Sequence, residues 1–303
     1  MKFTITPVPP FDFDLSARIF RDGDEQIRKY DKGRYWQVIR VENRLVLVTV
    51  ASVGSVDAPR LQVELKSNGE ISAADRQTVE ESIGSSLNLG LDLEAFYKEV
   101  KNDRVMSAIV GKLRGLKSPT TPTVFESLVS SIIEQQISLS LAHSMERKVV
   151  KAFGNAFTVN GKTYSACPTA ERLASVTVEQ LRQYGLSSRK AEYVIGVAKS
   201  IADGDLDLEG LKETEDTGAV IDRLLEIRGI GMWTAEMTAL RGMHRIGELP
   251  ADDIGLRRCI AHYYSKDRRI SADEARQIAR KWGKWKGLAA FYLIIAEHLG
   301  IEA

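Results

Sequence analysis

Leu224-Leu-Glu-Ile-Arg-Gly-Ile-Gly-Met-Trp-Thr-Ala-Glu-Met-Thr-Ala-Leu240 reads as helix, sharp turn, helix. Just before the turn, Val220, Ile221, Leu224 and Leu225 recur at helical spacing, which predicts a helix from about Thr217 to Glu226. Gly229 and Gly231 bracket Ile230. Glycine accepts left-handed backbone angles and carries no side chain to block a close approach. A second helix is expected from Met232 to about Arg241. Such a turn leaves the first N–H groups of the second helix unpaired and pointing outward, where a phosphate can be held. Further on, Leu249-Pro-Ala-Asp-Asp253 is a rigid turn that sets carboxylates at the mouth of another helix. Either Asp252 or Asp253 can cap that helix. One cap uses one carboxylate, so the other is left over where the helix dipole favours its charged form. Beside a phosphate-binding turn an ionised carboxylate repels the ligand, so its role is structural or chemical.

The rest of the chain is read outward from that pair. At 303 residues it suits two or three domains. The net charge of +1 hides an uneven distribution. Residues 1–100 carry 13 basic and 16 acidic side chains, whereas residues 257–286 hold ten Lys/Arg against three Asp/Glu, a local net of +7. A basic C-terminal quarter fits a polyanion-facing side, and a solvated helical face fits it equally well. Cys167 and Cys259 are the only cysteines, and His143, His244, His262 and His298 show no ligand spacing, so no zinc site is expected. Reduced thiols suit a cytoplasmic setting. Pro7, Pro9 and Pro10 interrupt the start and Asp12 and Asp14 follow, so no targeting or membrane segment is expected.

Residues 1–98 read as an α/β N-terminal domain. Tyr35–Val41 and Arg44–Val50 are strand-like runs joined at Glu42-Asn43 as a tight hairpin, Leu61–Leu65 alternates as a further strand, and Ala73–Ser86 is helical. Helices then follow one another. Thr123-Val-Phe-Glu126 is a capping box expected to open one long helix to about Phe153. Inside it, Glu134-Gln-Gln-Ile-Ser138 breaks an apolar run, either as surface polarity or as a finger that meets a nucleic-acid base. Residues 154–167 form a loop with a small hairpin at Asn160-Gly161, and Thr177-Val-Glu-Gln180 and Ser271-Ala-Asp-Glu274 are further capping boxes. The last helix, Lys286 to about Leu299, is nearly all apolar and expected to be buried. The fold class is α+β: an antiparallel sheet domain, then a two-lobed helical part, with one lobe over 118–230 and the other over 99–117 plus 231–303.

The hairpin run followed by Leu-Pro-Ala-Asp-Asp resembles the helix–hairpin–helix DNA glycosylases, closest to the AlkA type, 3-methyladenine DNA glycosylase II. Glu134–Ser138 and Lys281-Trp-Gly-Lys-Trp285 are also similar to that type. The resemblance is motif-specific from about Val124 to Gly300 and looser over residues 1–98. It implies that Asp253 is the family's catalytic aspartate, with Asp252 as its neighbour and the possible cap. It implies backbone-phosphate contacts from Arg228, Gly229, Ile230, Gly231 and Thr234, with a monovalent cation on the main-chain carbonyls of Ile227 and Ile230. Gln135 or Gln136 then falls at the base-plugging position with Ser138 nearby, and Arg257 joins the DNA contacts, as Lys190, Arg241 and Arg258 could. Bifunctional members carry a lysine two residues after the second hairpin glycine; here that residue is Trp233, so no Schiff base forms there. Trp233, Met237, Phe291, Tyr292, Trp282 and Trp285 are the implied base-pocket residues. Met237 and Ile294 stand where the AlkA pattern has aromatic residues, which leaves the substrate range open.

The function expected from this resemblance is monofunctional release of a damaged, alkylated purine from double-stranded DNA in base excision repair, by a monomer needing no cofactor. Glycosylases for oxidised or deaminated purines, and a non-catalytic helix–hairpin–helix DNA-binding module, are the alternatives. The carboxylate separates the last from the others, since DNA binding alone gains nothing from it.

Overall fold

A computed structural model describes residues 1–42 and 44–303. The chain begins with β1 (Lys2–Ile5), α1 (Phe13–Ala17), β2 (Arg28–Asp31), β3 (Arg34–Val41), β4 (Arg44–Ser52), β5 (Leu61–Lys66) and α2 (Ala73–Ser86). The strands form one antiparallel sheet in the order β1-β5-β4-β3-β2. Along β3 the residues alternate in burial, with Tyr35, Gln37, Ile39 and Val41 turned inward, as a half-covered strand requires. Val41 pairs with Arg44, so the hairpin register is the one the sequence implies. Glu42 adopts the left-handed φ of 50° that tight hairpin turns need, while Asn43 of that turn lies outside the described residues.

Helices then take over: α3 (Leu93–Val100), α4 (Arg104–Lys112), α5 (Val124–Glu134) and α6 (Leu139–Phe153). A small hairpin, β6 (Ala156–Val159) and β7 (Lys162–Ser165), turns at Asn160-Gly161, both residues having positive φ. After it come α7 (Ala170–Ala174), α8 (Val178–Arg182), α9 (Ser188–Ala202), α10 (Thr217–Leu225), α11 (Met232–Gly242), α12 (Ile254–Tyr264), α13 (Ala272–Ala279) and α14 (Lys286–His298). The chain is therefore α+β, with an antiparallel sheet first and a helical part after it.

Three apolar cores organise these elements. The first joins the sheet with α2 and runs from Phe3 to Leu89. A second, from Val124 to Met243, packs α5 and α6 against α9, α10 and α11. The third closes α3 and α4 over α12, α13 and α14. Two expected boundaries shift as a result. Ala235, Ala239 and Met243 pack in the central core, so α11 sits with α5 rather than in the lobe that begins at residue 231. Leu93 and Phe96 belong to the C-terminal core rather than to the N-terminal domain. Lys117 fastens the joint: its fully buried ammonium donates to the carbonyls of Val8 at 2.8 Å and Leu89 at 2.7 Å.

Two local readings change. The long helix expected from residue 124 to 153 is broken, because Ser138 accepts from the Leu141 N–H and caps a new helix, α6. The capping box at Thr123 is half formed. Thr123 accepts from the Glu126 N–H, but among the described residues the Glu126 carboxylate makes no return bond to the Thr123 N–H; the next amide, of Val124, donates to the Glu209 carboxylate at 2.7 Å.

Candidate active site

The hairpin between α10 and α11 is built as its glycines suggest, for two different reasons. The Ile230 N–H donates to the Ile227 carbonyl at 3.1 Å, closing a tight turn. Gly229 within that turn has a φ of 90°, and a Cβ there would overlap the Tyr193 ring of α9. Gly231 is under neither constraint: its φ is −101° and the space around it is open. It stands at the N-cap of α11, where no side chain makes the capping bond. By contrast, side chains cap α5, α6, α9, α10, α12 and α13. The first amides of α11 thus remain free for an external acceptor, with the positive end of the helix dipole behind them.

The mouth of α12 is the opposite case. Asp253 Oδ1 accepts from the Leu256 N–H at 2.8 Å, so Asp253 itself is the cap. Its other oxygen, Oδ2, accepts from Trp233 Nε1 at 3.1 Å. The sequence reading left Asp252 as the possible cap; instead its carboxylate points to Arg276, 3.4 Å away. One helix, α11, therefore offers its open end on one side and reaches the Asp253 carboxylate on the other, through a half-buried indole.

The Gln135–Ser138 break faces the same hairpin. Gln135 ends α5 and its amide donates to the Gly229 carbonyl at 3.1 Å and to Thr234 Oγ1 at 3.0 Å. Gln135 is thereby tied into the protein, and so is the buried Thr234, whereas Gln136 is exposed in a left-handed conformation with φ of 56°. Two cations expected at phosphates are spent on this corner. Arg241 chelates the buried Glu134 carboxylate at 2.9 and 2.8 Å, and the Lys190 ammonium donates to the Ile133 carbonyl at 2.7 Å. Burial also lowers the Lys190 pKa. Arg258 pairs with Glu297 at 3.2 Å. Arg228, 83 % exposed at the hairpin tip, leans toward Glu192 at 3.4 Å, and Arg257 lies half-buried in the first turn of α12.

The expected aromatic pocket is not assembled as such. Trp282 and Tyr292 are fully buried, and Trp285 nearly so. Trp282 donates to Asp103 at 3.1 Å, the Tyr292 hydroxyl donates to the Leu116 carbonyl at 2.7 Å, and Trp285 packs on Phe96. These three rings build the C-terminal core, where apolar area counts most and the polar tips of Trp282 and Tyr292 find partners. Met237 is buried too, and Phe291 is half-buried against that core. The exposed apolar side chains of α11, α12 and α14 are not aromatic: Met232 and Ile254, each in the first turn of its helix, and Ile294 on α14. His244, which follows α11, is enclosed by Ser85 at 2.8 Å and Thr120 at 3.4 Å. Burial, with Lys212 adding to it, lowers its pKa.

Sequence reasoning passed over Glu236. It lies among six successive buried residues of α11, one turn beyond Trp233. Burial lifts its carboxyl pKa to about 7, and the pull of Arg276, 3.3 Å away, does not offset that. The available signal was an acid inside the otherwise uncharged run Met232–Leu240. Among the described residues no three His, Cys, Asp or Glu side chains are grouped to hold a metal, and no helix is long and apolar enough to cross a membrane.

This geometry agrees with what the chain is similar to. Residues 129–284 match the model of the HhH-GPD superfamily of base excision DNA repair proteins. A DNA-3-methyladenine glycosylase of Bacillus subtilis (strain 168) is 30% identical over 288 residues, 94% of each chain. The solved 3-methyladenine DNA-glycosylase of Archaeoglobus fulgidus superposes with a TM-score of 0.86 at 26% identity, over 98% of this chain and 99% of that one. An 8-oxoguanine glycosylase/lyase of Clostridium acetobutylicum, solved with double-stranded DNA, shares the fold alone, with a TM-score of 0.77 at 20% identity over 99% of both chains. The chain belongs to the HhH-GPD superfamily of base excision DNA repair proteins and is a DNA glycosylase.

Proposed function

We propose that this glycosylase is monofunctional and hydrolyses the N-glycosidic bond of alkylated purines in double-stranded DNA, with Asp253 as its catalytic carboxylate. The observation that carries the reading is the Trp233 Nε1–Asp253 Oδ2 bond of 3.1 Å, which links the helix with the open amide terminus to the carboxylate that caps α12. The open amides of α11, with Gly229, Ile230 and Gly231 around them, take a DNA phosphate, assisted by Arg228 and Arg257. Gln136, exposed at its left-handed corner, fills the gap in the stack when the target nucleotide leaves it. Gln135 and Ser138 support that corner, one by bonding to the hairpin and the other by capping α6.

Bond cleavage develops positive charge on the sugar. The Asp253 carboxylate stabilises that charge and orients the attacking water, while α12 and the indole fix both of its oxygens. An alkylated purine is already cationic and leaves without a strong general acid. Trp233 offers it a π face, and Met232, Ile254 and Phe291 offer apolar surface. An indole in place of a lysine supplies no amine for a Schiff base, so the abasic product is released uncleaved. A monovalent cation fits the main-chain carbonyls of Ile227 and Ile230, which are hard oxygen donors; the Ile227 oxygen keeps a lone pair beyond the one that accepts from Ile230. Bound there, it would add positive charge beside the phosphate.

A panel of duplexes, each with one defined lesion, tests this reading. The expected result is release of N-alkylated purines, with no borohydride-trapped protein–DNA adduct. Release of 8-oxoguanine with strand cleavage would overturn it.

A further inference from the structure

The turn that carries Asp253 is held to α11 twice. The first hold is direct, from Trp233 to Asp253. The second is relayed by Arg276 of α13, whose Nη2 lies 3.3 Å from Glu236 Oε1 and 3.4 Å from Asp252 Oδ2. Trp233 and Glu236 are three residues apart on one helix and so share a face. Asp252 and Asp253 are adjacent in one turn. The two holds are therefore parallel rungs between the same pair of elements, and Arg276 brings α13 into the second one.

Glu236 is an expensive residue to keep for packing alone. Its side chain is 8% exposed, and Oε2 is buried without a hydrogen-bond partner among the described residues. A buried carboxylate with one orphaned oxygen costs free energy that an apolar residue would not. The compensation on view is the place it gives Arg276. The guanidinium is a planar fork, and a single arm of it, Nη2, meets both carboxylates, so holding that nitrogen at Glu236 fixes the point from which it reaches Asp252.

We infer that Arg276, anchored by Glu236, is a positioning residue for catalysis: through Asp252 it sets where the Asp253 carboxylate stands relative to α11. This rests on the reading of Asp253 as the catalytic carboxylate. A displacement of about 1 Å at a reacting group can cost on the order of 100-fold in rate. Loss of one of two rungs is expected to cost less, about 10- to 30-fold.

Single-turnover base release from double-stranded DNA methylated with dimethyl sulfate tests this, alongside affinity for an abasic-site duplex. Arg276→Met keeps the aliphatic stem and removes the fork. It is expected to slow release about 10- to 30-fold while affinity stays within about twofold. Because it strands Glu236, the double substitution Arg276→Met with Glu236→Gln is measured beside it. The double variant is expected to regain thermal stability and to remain slow, since the link to Asp252 is still missing. Recovery of the wild-type rate in the double variant would reduce Arg276 to charge balance and overturn the inference. An Arg276→Met protein at the wild-type rate, with Asp253→Asn inactive, would overturn it too while leaving Asp253 in place. An Asp253→Asn protein at the wild-type rate would instead remove the reading on which the inference rests.

Discussion

Two neighbouring helices of this protein begin in opposite ways. α11 starts at a glycine with no capping side chain, and α12 starts at a carboxylate whose one oxygen makes the cap. Both ends carry the same partial positive charge from their peptide dipoles. The bare one leaves that charge to an external anion, whereas the capped one uses part of it to hold an anion of its own. On the function proposed above, the two steps of a glycosylase fall at two helix mouths: a phosphate at the first and a developing cation at the second. Trp233, rooted in the first helix and hydrogen-bonded at the second, keeps them in register.

The largest effect should come from neutralising the second mouth. Asparagine caps a helix about as well as aspartate, so Asp253→Asn removes the charge with little damage to α12. Base release is expected to fall by at least about 100-fold, as when one preorganised electrostatic group is lost. Affinity for abasic-site DNA should hold or rise, and thermal unfolding should move little. A large drop in melting temperature would mean that the carboxylate serves the fold first.

Giving the first mouth a cap of its own makes α11 resemble α12. Gly231→Asp adds a side chain in open space at an N-cap, which should leave stability unchanged or raise it by a few tenths of a kcal/mol. The same carboxylate would occupy the place proposed for a DNA phosphate. Duplex affinity at low salt is expected to drop roughly 10- to 100-fold, a cost of about 1.4–2.8 kcal/mol. Unchanged affinity in a fluorescence titration would show that the amides of α11 do not meet DNA.

The contrast also explains what could be read from the sequence. Both helix mouths were legible in place, because glycine and aspartate act there through backbone geometry and capping, which are local; which of Asp252 and Asp253 makes the cap was not. The strand register at Val41 and Arg44 was legible for the same reason. The break at Gln135–Ser138 was not, since Ser138 caps a helix inside an apolar run that periodicity alone carries through. The fate of the aromatics was illegible too. A tryptophan on a helix face has the same pattern whether it stays half-buried at a helix mouth, as Trp233 does, or fills a core, as Trp282 does; only the partners decide, Asp253 for one and Asp103 for the other. Lys190 and Arg241 likewise appeared as free cations until Ile133 and Glu134 claimed them.

Cutting the link between the mouths should cost less than removing either. Trp233→Phe keeps an aromatic face and deletes the N–H that reaches Asp253. A hydrogen bond to a charged group contributes about 1.5–3 kcal/mol. If about 1.4–2 kcal/mol of that is felt in the transition state, release slows about 10- to 30-fold, as for loss of the other rung, with duplex affinity unchanged. An effect confined to affinity would place Trp233 in DNA binding instead.

The smallest effect tests the buried acid behind these elements. The Glu236 carboxyl is raised from an ordinary 4.5 to about 7, chiefly by burial. Between those values the folded protein binds more protons at this site than the unfolded chain does. Its contribution to stability is therefore fully present below about pH 4.5 and is lost as pH rises through about 7. Glu236→Gln removes the titration. Relative to the wild type, the variant should gain stability on going from pH 5 to pH 8, by on the order of 1 kcal/mol in urea unfolding, because the wild type alone must bury a charge at the higher pH. The direction is informative as well as the size. If the substitution instead costs more stability at pH 8 than at pH 5, the Glu236–Arg276 ion pair outweighs burial, and the second rung that steadies the Asp253 turn is held by charge rather than despite it.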